Sequence, residues 1–155
     1  MNNIIFLDID GVLNCKYTKE LVPNTKIIGI DNDKIKRLKK IVNNTNSNII
    51  SISSWKFDWD KYSNRKIQNQ FGDYLDNKLF KYDLMIEDKT IDESYNRGKG
   101  IIRYLNGHIV NNYIILDDSI FNDYNKELMA HLIQTKFEIG LSDEDVEKAI
   151  KILKN

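Results

Sequence analysis

Three short apolar runs, each ending in an acidic or hydroxyl residue, restrict most strongly how this chain can fold. The runs are Ile4 to Asp8, Asn48 to Ser53 and Asn112 to Asp117. A continuous apolar run of this length is typical of a strand that is buried on both faces of a parallel sheet. Two weaker runs, Tyr82 to Glu87 and Leu132 to Phe137, predict further strands.

Segments with helical periodicity separate these runs. Between Asp33 and Val42, the apolar residues Ile35, Leu38 and Val42 share one face, and basic residues cover the rest. Further helices are predicted at Lys66 to Leu79, at Gly100 to Asn106 with Gly107 as a C-terminal cap, and after Ser142, which forms a capping pattern with Asp145. The alternation predicts a three-layer α/β/α sandwich around a central, mainly parallel, Rossmann-like sheet. Since no Pro/Gly/Ser-rich linker interrupts it, we expect a single domain over residues 1–155.

Composition excludes several classes of function. Lys+Arg and Asp+Glu number 23 each, so the net charge gives no general electrostatic attraction to nucleic acid or to an anionic membrane. This balance is still compatible with a local site that binds a phosphorylated end. The single cysteine, Cys15, excludes a disulfide framework and a multi-cysteine zinc cluster. No apolar run approaches membrane-spanning length. We therefore expect a cytoplasmic protein without a membrane partner, and we favour a monomer.

Carboxylates and a hydroxyl gather where the predicted strands end. Asp8 and Asp10 follow the first strand, Ser53 ends the second, and Asp117 and Asp118 follow another. Ligands of an open parallel sheet bind at this edge. Clustered carboxylates repel one another unless a cation neutralises them, and Mg²⁺ prefers oxygen ligands of this kind. The sequence therefore predicts a magnesium site.

The spacing of Asp8 and Asp10 suits phosphoryl transfer. Residues two apart in extended chain lie on one side, separated by about 6.6 Å. A phosphoryl group fits between them, so one carboxylate can attack while the other handles the proton of the leaving group. Gly11 lets the backbone turn sharply beside the pair.

Four motifs in order resemble those of the haloacid dehalogenase (HAD) superfamily. Asp8-Ile9-Asp10-Gly11-Val12-Leu13-Asn14 resembles the first motif, and Ser53 after Ile49 to Ile52 resembles the second. Lys99 at a helix start resembles the third, and Asp117-Asp118 resembles the acidic fourth. The sequences around Ser53-Ser54-Trp55 and from His131 to Ser142 are similar to the small HAD domains of bacterial Swiss Army Knife RNA-repair proteins.

The resemblance implies a role for each of these residues. Asp8 would be the nucleophile and a metal ligand, and Asp10 the general acid and then the general base, with its backbone carbonyl on the metal. Ser53, Ser54 and Lys99 would contact the phosphoryl group of the substrate. Asp118, in preference to Asp117, would complete the Mg²⁺ site.

An acid at Asp10 favours hydrolysis of phosphate monoesters, because the dehalogenases and transport ATPases of this superfamily lack it. The stretch from Asn14 to Ile30 is too short for a cap domain, and the segment from Trp55 to Asn96 must supply a core helix and strand. We therefore expect a capless, open site. Open sites in this superfamily tend to serve bulky substrates, such as RNA or DNA ends or phosphoproteins.

Two other interpretations stay open. A non-hydrolytic phospho-acceptor or phosphate-binding module also gathers acids, a hydroxyl and a lysine at a sheet edge, although receiver domains carry them in a different order. Trp55, Phe57 and Trp59 alternate with other residues and can stack on nucleobases. Core packing of at least one tryptophan is the simpler explanation.

Overall fold

The computed structural model describes residues 2–62, 65–66, 68–92 and 95–155. Its strands are β1 (Asn2–Leu7), β2 (Ser47–Ser51), β3 (Ile86–Lys89), β4 (Val110–Asp117) and β5 (Leu132–Gln134). Its α-helices are α1 (Asn32–Thr45), α2 (Gln70–Phe80), α3 (Arg97–Gly107), α4 (Lys126–Ala130) and α5 (Asp143–Lys154), and a 3₁₀ turn spans Ser54–Phe57.

The five strands form one parallel sheet in the order β3-β2-β1-β4-β5. Leu7 at the end of β1 is level with Ser51 of β2 on one side and Leu116 of β4 on the other. The residues that follow these three strands therefore emerge side by side at one edge. The predicted Rossmann-like α/β fold is confirmed.

The central strand β1 is buried on both faces, as its continuous apolar sequence predicts. Ile5 and Leu7 pack into a core shared with α1, α2 and α5. Ile4 and Phe6 point the other way, into a core shared with α3 and α4. This alternation is the period-two geometry of a strand. Packing on both sides fixes the strand that carries Asp8 at its end.

Element boundaries differ most from the prediction at β3 and at the start of α2. The strand expected at Tyr82 to Glu87 is instead Ile86–Lys89, whose charged sequence lies at the edge of the sheet. The helix expected from Lys66 begins at Gln70, because the Asn69 side chain accepts a hydrogen bond from the Phe71 amide (2.9 Å) and caps it there. Ile67, inside the expected helix, lies outside the described residues.

Gly107 is not a left-handed cap, since the described glycines with positive φ are Gly11 and Gly140. The C-terminal helix confirms its predicted start. The Ser142 side chain accepts from the Asp145 amide (3.1 Å), and the Asp145 carboxylate accepts from the Ser142 amide (3.0 Å). This reciprocal pair is a capping box.

The loop after β1 remains small. Between residues 14 and 30 the regular pairing is a single antiparallel bridge from Leu21 to Ile28. The segment from 55 to 96 supplies the 3₁₀ turn, α2 and β3 in its described parts. No cap-sized unit is therefore present in the described ranges, and none of their helices is long and apolar enough to cross a membrane.

Candidate active site

Three carboxylates meet at the carboxyl edge of the sheet. Asp8 directly follows β1 and is 6% exposed, while its amide donates to the Leu116 carbonyl of β4 (2.9 Å). Asp117, the last residue of β4, is fully buried, and the next residue, Asp118, is half-buried. One oxygen of each lies within 4.8 Å of the others.

Gly11 allows Asp118 to approach the turn after Asp8. Gly11 adopts a φ of +81°, a conformation that residues with a side chain rarely adopt. A Cβ atom placed there would overlap the Asp118 carboxylate. The turn and the acidic pair at the end of β4 therefore pack together only because position 11 carries no side chain.

Arg97 provides the positive charge of the cluster. Its guanidinium lies 2.8 Å from Asp117 Oδ2 and 3.4 Å from Asp8 Oδ1. The guanidinium group also lies over the ring of Phe121. Burial opposes the charge of Arg97, but Asp8 and Asp117 raise its pKa above the usual value. Arg97 is therefore a permanent cation beside Asp8.

Burial raises the pKa of Asp8 well above 3.8, and the neighbouring Asp117 carboxylate raises it further, whereas Arg97 opposes the shift. Burial likewise raises the pKa of Asp118, and Asp117 adds to the increase. One arginine therefore does not neutralise the three acids, and an additional cation would stabilise the ionised form of the cluster.

Asp117 is held by protein donors on both of its oxygens. Oδ2 accepts from Arg97 (2.8 Å) and from the Tyr124 hydroxyl (2.8 Å), and Oδ1 accepts from the Ser119 amide (3.0 Å). Burial and then Asp117 raise the pKa of Tyr124, so its hydroxyl remains a donor. From the described residues, Asp118 accepts one side-chain hydrogen bond, donated by the Ser119 hydroxyl (3.2 Å). Asp118 therefore has more free ligand capacity than Asp117.

The Asp10 side chain is exposed, and among the described residues it is not part of this group of three carboxylates. Its Oδ1 accepts from the Asn14 side chain (2.9 Å), and its Oδ2 accepts from the indole N–H of Trp55 (3.1 Å). Asn14 is buried and also accepts from the Gly11 amide (2.8 Å) and donates to the Gly29 carbonyl (2.9 Å). Asp8 and Asp10 are thus two carboxylates in different environments.

Ser53 lies just after β2, the strand next to β1, and caps the 3₁₀ turn. Ile52 donates its amide to the Leu7 carbonyl (3.0 Å), which places Ser53 beside the start of the Asp8 loop. The Ser53 hydroxyl oxygen is buried and accepts from the Trp55 amide (3.2 Å), which leaves its hydrogen available to donate. Ser54 is exposed at the start of the 3₁₀ turn.

Lys99 does not reach Asp8 in this structure. Its side chain is exposed and lines a cavity of about 420 Å³ with Arg103, while its amide donates to Asp123 (2.9 Å). Within the described residues, the ion pairs of Asp8 include Arg97 and not Lys99. The cation that the first turn of α3 brings to Asp8 is therefore Arg97.

The aromatic residues after Ser53 separate into different environments. Trp59 is 1% exposed and donates to Asp76 (3.0 Å), so it is a core residue. Phe57 is exposed. Trp55 is almost buried but contacts Asp10 through its indole nitrogen.

The donor set of the cluster fits a hard divalent cation. Asp8, Asp117 and Asp118 offer carboxylate oxygens only, which Mg²⁺ prefers. Burial and then the Asp117 carboxylate raise the pKa values of Asp8 and Asp118, so a bound cation would stabilise their ionised forms. Asp10 contributes no side-chain oxygen to this group of three, so its predicted metal contact through the backbone carbonyl stays a prediction.

Sequence reasoning missed Arg97 and the contacts that Trp55 and Asn14 make with Asp10. Arg97 lies two residues before Lys99 in the same helical turn, and only the orientation of α3 decides which of them faces Asp8. Asn14 belongs to the first motif, but its reach back to Asp10 depends on the turn at Gly11. Trp55 contacts Asp10 across 45 residues of sequence, a separation that local patterns do not encode.

Comparison with known proteins gives one family. A family model described as the HAD domain in Swiss Army Knife RNA repair proteins matches residues 4–146. Neither the curated proteins nor the solved structures give a significant match. The matched range includes every residue of the site described above.

Proposed function

The chain belongs to the family of HAD domains found in Swiss Army Knife RNA repair proteins, and on that premise we propose that it is a Mg²⁺-dependent phosphomonoesterase. Asp8 is the nucleophile of this reaction and Asp10 is its general acid and base. One observation carries the proposal. A buried carboxylate, Asp8, lies beside a permanent cation and within 4.8 Å of two further acids, while a separate exposed carboxylate lies two residues away in the sequence.

The proposed reaction has two steps. An Asp8 oxygen attacks the phosphorus, the bond from phosphorus to the leaving oxygen breaks, and Asp10 gives that oxygen its proton. Water then attacks the phosphorus of the aspartyl-phosphate, Asp10 takes the proton of the water, and Asp8 and inorganic phosphate are released. Arg97 neutralises charge on the phosphoryl oxygens in both steps, and Ser53 donates a hydrogen bond to them.

Asp8 and Asp118 are the proposed side-chain ligands of Mg²⁺, which when bound supplies the positive charge that the phosphoryl oxygens require. Asp117 acts mainly by holding Arg97, since its two oxygens already accept three hydrogen bonds. The Asp10 carbonyl completes the protein's contribution to the site.

The substrate that we propose is a phosphorylated end of RNA or DNA. Its support is the RNA-repair setting of the family and the lack of a cap-sized unit in the described ranges after β1 and β2. We assign Ser54 and Lys99 contacts with parts of the substrate beyond the phosphoryl group, because both side chains are exposed and closely follow Ser53 and Arg97 in the sequence. A cytoplasmic location and a monomeric state remain part of this proposal.

A phosphatase assay with a matched inactive variant tests the proposal. Wild type and Asp8→Asn are compared on an aryl phosphate and on oligonucleotides with 3′- or 5′-phosphates, with Mg²⁺ or with EDTA. We expect wild-type hydrolysis only with Mg²⁺ and a loss of at least a thousandfold in Asp8→Asn. Equal rates for the two proteins would contradict the proposal, and a lasting phosphoprotein without turnover would indicate a phospho-acceptor module instead.

A further inference from the structure

We propose that Trp55 is a positioning residue, which orients the Asp10 carboxyl for proton donation and so speeds the expulsion of poor leaving groups in particular. This inference rests on the proposed function, because it assigns the supporting contact of the general acid. It concerns one hydrogen bond, from the indole Nε1 of Trp55 to Asp10 Oδ2 (3.1 Å).

Asp10 needs such support because it is exposed and lies on a loop. A carboxyl on a loop in water samples several rotamers, and proton transfer requires one of them. Trp55 donates to one oxygen and Asn14 to the other. Each oxygen of a carboxyl group has two lone pairs. The two donors therefore fix the plane of the group and leave one lone pair on each oxygen free for the transferred proton.

Trp55 is itself held firmly by its neighbours. Its side chain is 7% exposed and packs edge to face against Phe71 (6.2 Å between ring centroids) and at a tilt against Tyr74 (6.3 Å). Tyr74 in turn accepts from the Ile30 amide (2.9 Å). The indole is therefore clamped between α2 and the loop that follows β1.

The backbone of the 3₁₀ turn is fixed as well. The Lys56 ammonium contacts Thr90 (3.0 Å) and the Asp92 carboxylate, and the Lys89 ammonium donates to the Lys56 carbonyl (2.9 Å). These contacts attach the turn to β3 and the residues after it. Because the backbone and the ring of Trp55 are both already held in place, little further conformational entropy is lost when its indole N–H orients Asp10.

Trp59 makes an indole-to-carboxylate hydrogen bond that is purely structural. Its indole also donates to an aspartate, Asp76 (3.0 Å), but both partners are buried in the core, at 1% and 3% exposure. The acceptor of Trp55 is instead an exposed carboxylate of the site. Trp59→Phe is therefore a matched control, because it removes an indole donor from an aspartate that has no part in the reaction.

Leaving-group dependence separates positioning from general damage. A general acid matters most when the departing oxygen is strongly basic and hardly at all when the leaving group is stable as an anion. If Trp55 acts through Asp10, its replacement lowers kcat/KM for substrates with poor leaving groups and leaves kcat/KM nearly unchanged for those with good ones. If Trp55 only supports the fold, all substrates lose activity together.

The kinetic test compares kcat/KM of wild type, Trp55→Phe and Trp59→Phe on 2,4-dinitrophenyl, 4-nitrophenyl and phenyl phosphate. For Trp55→Phe we expect rates within about threefold of wild type on the dinitrophenyl ester and a loss of about ten- to a hundredfold on the phenyl ester, part of the general-acid contribution. Trp59→Phe should show no such trend. In an Asp10→Asn background, Trp55→Phe should add no further leaving-group dependence.

A spectroscopic test needs no change at Trp55. The chain has two tryptophans, so its ¹⁵N–¹H spectrum contains two indole signals, and the one that Trp59→Phe retains belongs to Trp55. Asp10→Asn should shift the Trp55 signal and leave the Trp59 signal in place. An unmoved Trp55 signal, or a Trp55→Phe loss that is equal on all three esters, would overturn the inference while the proposed function stands. A wild type that hydrolyses neither these esters nor the phosphorylated oligonucleotides would instead refute the proposed function and this inference with it.

Discussion

At the scale of single residues, Gly11 determines how closely the loop after β1 and the acidic pair can approach. Replacing it with alanine adds a Cβ that meets the Asp118 carboxylate and forces a side chain into a left-handed conformation. We expect Gly11→Ala to lose about 1–2 kcal/mol of stability through the backbone alone. Because Asp118 must move, we also expect at least a tenfold loss of kcat/KM and weaker Mg²⁺ binding in a calorimetric titration.

Gly107→Ala is the control for this change. An added Cβ at Gly107 meets nothing within 4 Å, and the residue lies at the end of α3 without a positive φ. Alanine there should leave activity unchanged and be neutral or stabilising by up to about 1 kcal/mol. Wild-type activity in Gly11→Ala would show that the close approach to Asp118 has no importance.

Burial of the Asp8 carboxylate destabilises the folded protein by an amount that depends on pH. Its pKa is raised in the folded protein above the ordinary value of 3.8, so the folded state binds its proton more tightly than the unfolded state does. The stabilisation that comes from protonated Asp8 is fully present below pH 3.8. It is lost as the pH rises through the raised pKa. In EDTA at pH 7, Asp8→Asn should therefore melt several degrees higher than wild type, at about 2–4 °C for each kcal/mol.

Two conditions check the cause of that difference. Near pH 4 the gain in melting temperature should shrink, because Asp8 is then protonated in wild type. In Mg²⁺ at pH 7 it should shrink or reverse, because the bound cation stabilises the carboxylate of wild type. A difference that is the same at both pH values and in both solutions would contradict burial of a charged Asp8 as its origin.

At the scale of elements, the first turn of α3 decides which basic side chain faces Asp8. Arg97 contacts Asp8 and Asp117, and Lys99 is exposed. We expect Arg97→Ala to reduce kcat/KM on an aryl phosphate by about a hundredfold or more, the usual effect of removing a key donor. Lys99→Ala, on the same turn, should change it less than about threefold. The reverse order would return the phosphate-binding role to Lys99.

The elements that the sequence predicts well are those whose burial is uniform. The strands β1, β2 and β4 are read directly from their β-branched runs, because both faces of a central parallel strand are apolar. The edge strand β3 has the sequence Ile86-Glu87-Asp88-Lys89, with little apolar content to reveal it. The start of α2 depended on the side chain of Asn69, which a periodicity argument does not consider.

At the scale of the whole molecule, the sequence predicts the acids of the site but not their supports. Asp8, Asp117 and Asp118 follow predicted strands, so the parallel topology alone brings them to one edge. Arg97, Asn14 and Trp55 reach the site through the rotation of a helix, a tight turn and a long-range packing contact. Such contacts depend on three-dimensional packing, which the spacing of residues in one sequence does not specify.

The central claim is that Asp8 itself becomes phosphorylated during turnover, and trapping the acyl phosphate tests it most directly. Protein quenched during hydrolysis is treated with borohydride, which reduces an acyl phosphate to the alcohol, and is then mapped by mass spectrometry. We predict homoserine at position 8 in samples with substrate and Mg²⁺, and aspartate there when substrate is omitted. Turnover that leaves position 8 unmodified, or that places the modification on another aspartate, would contradict the account.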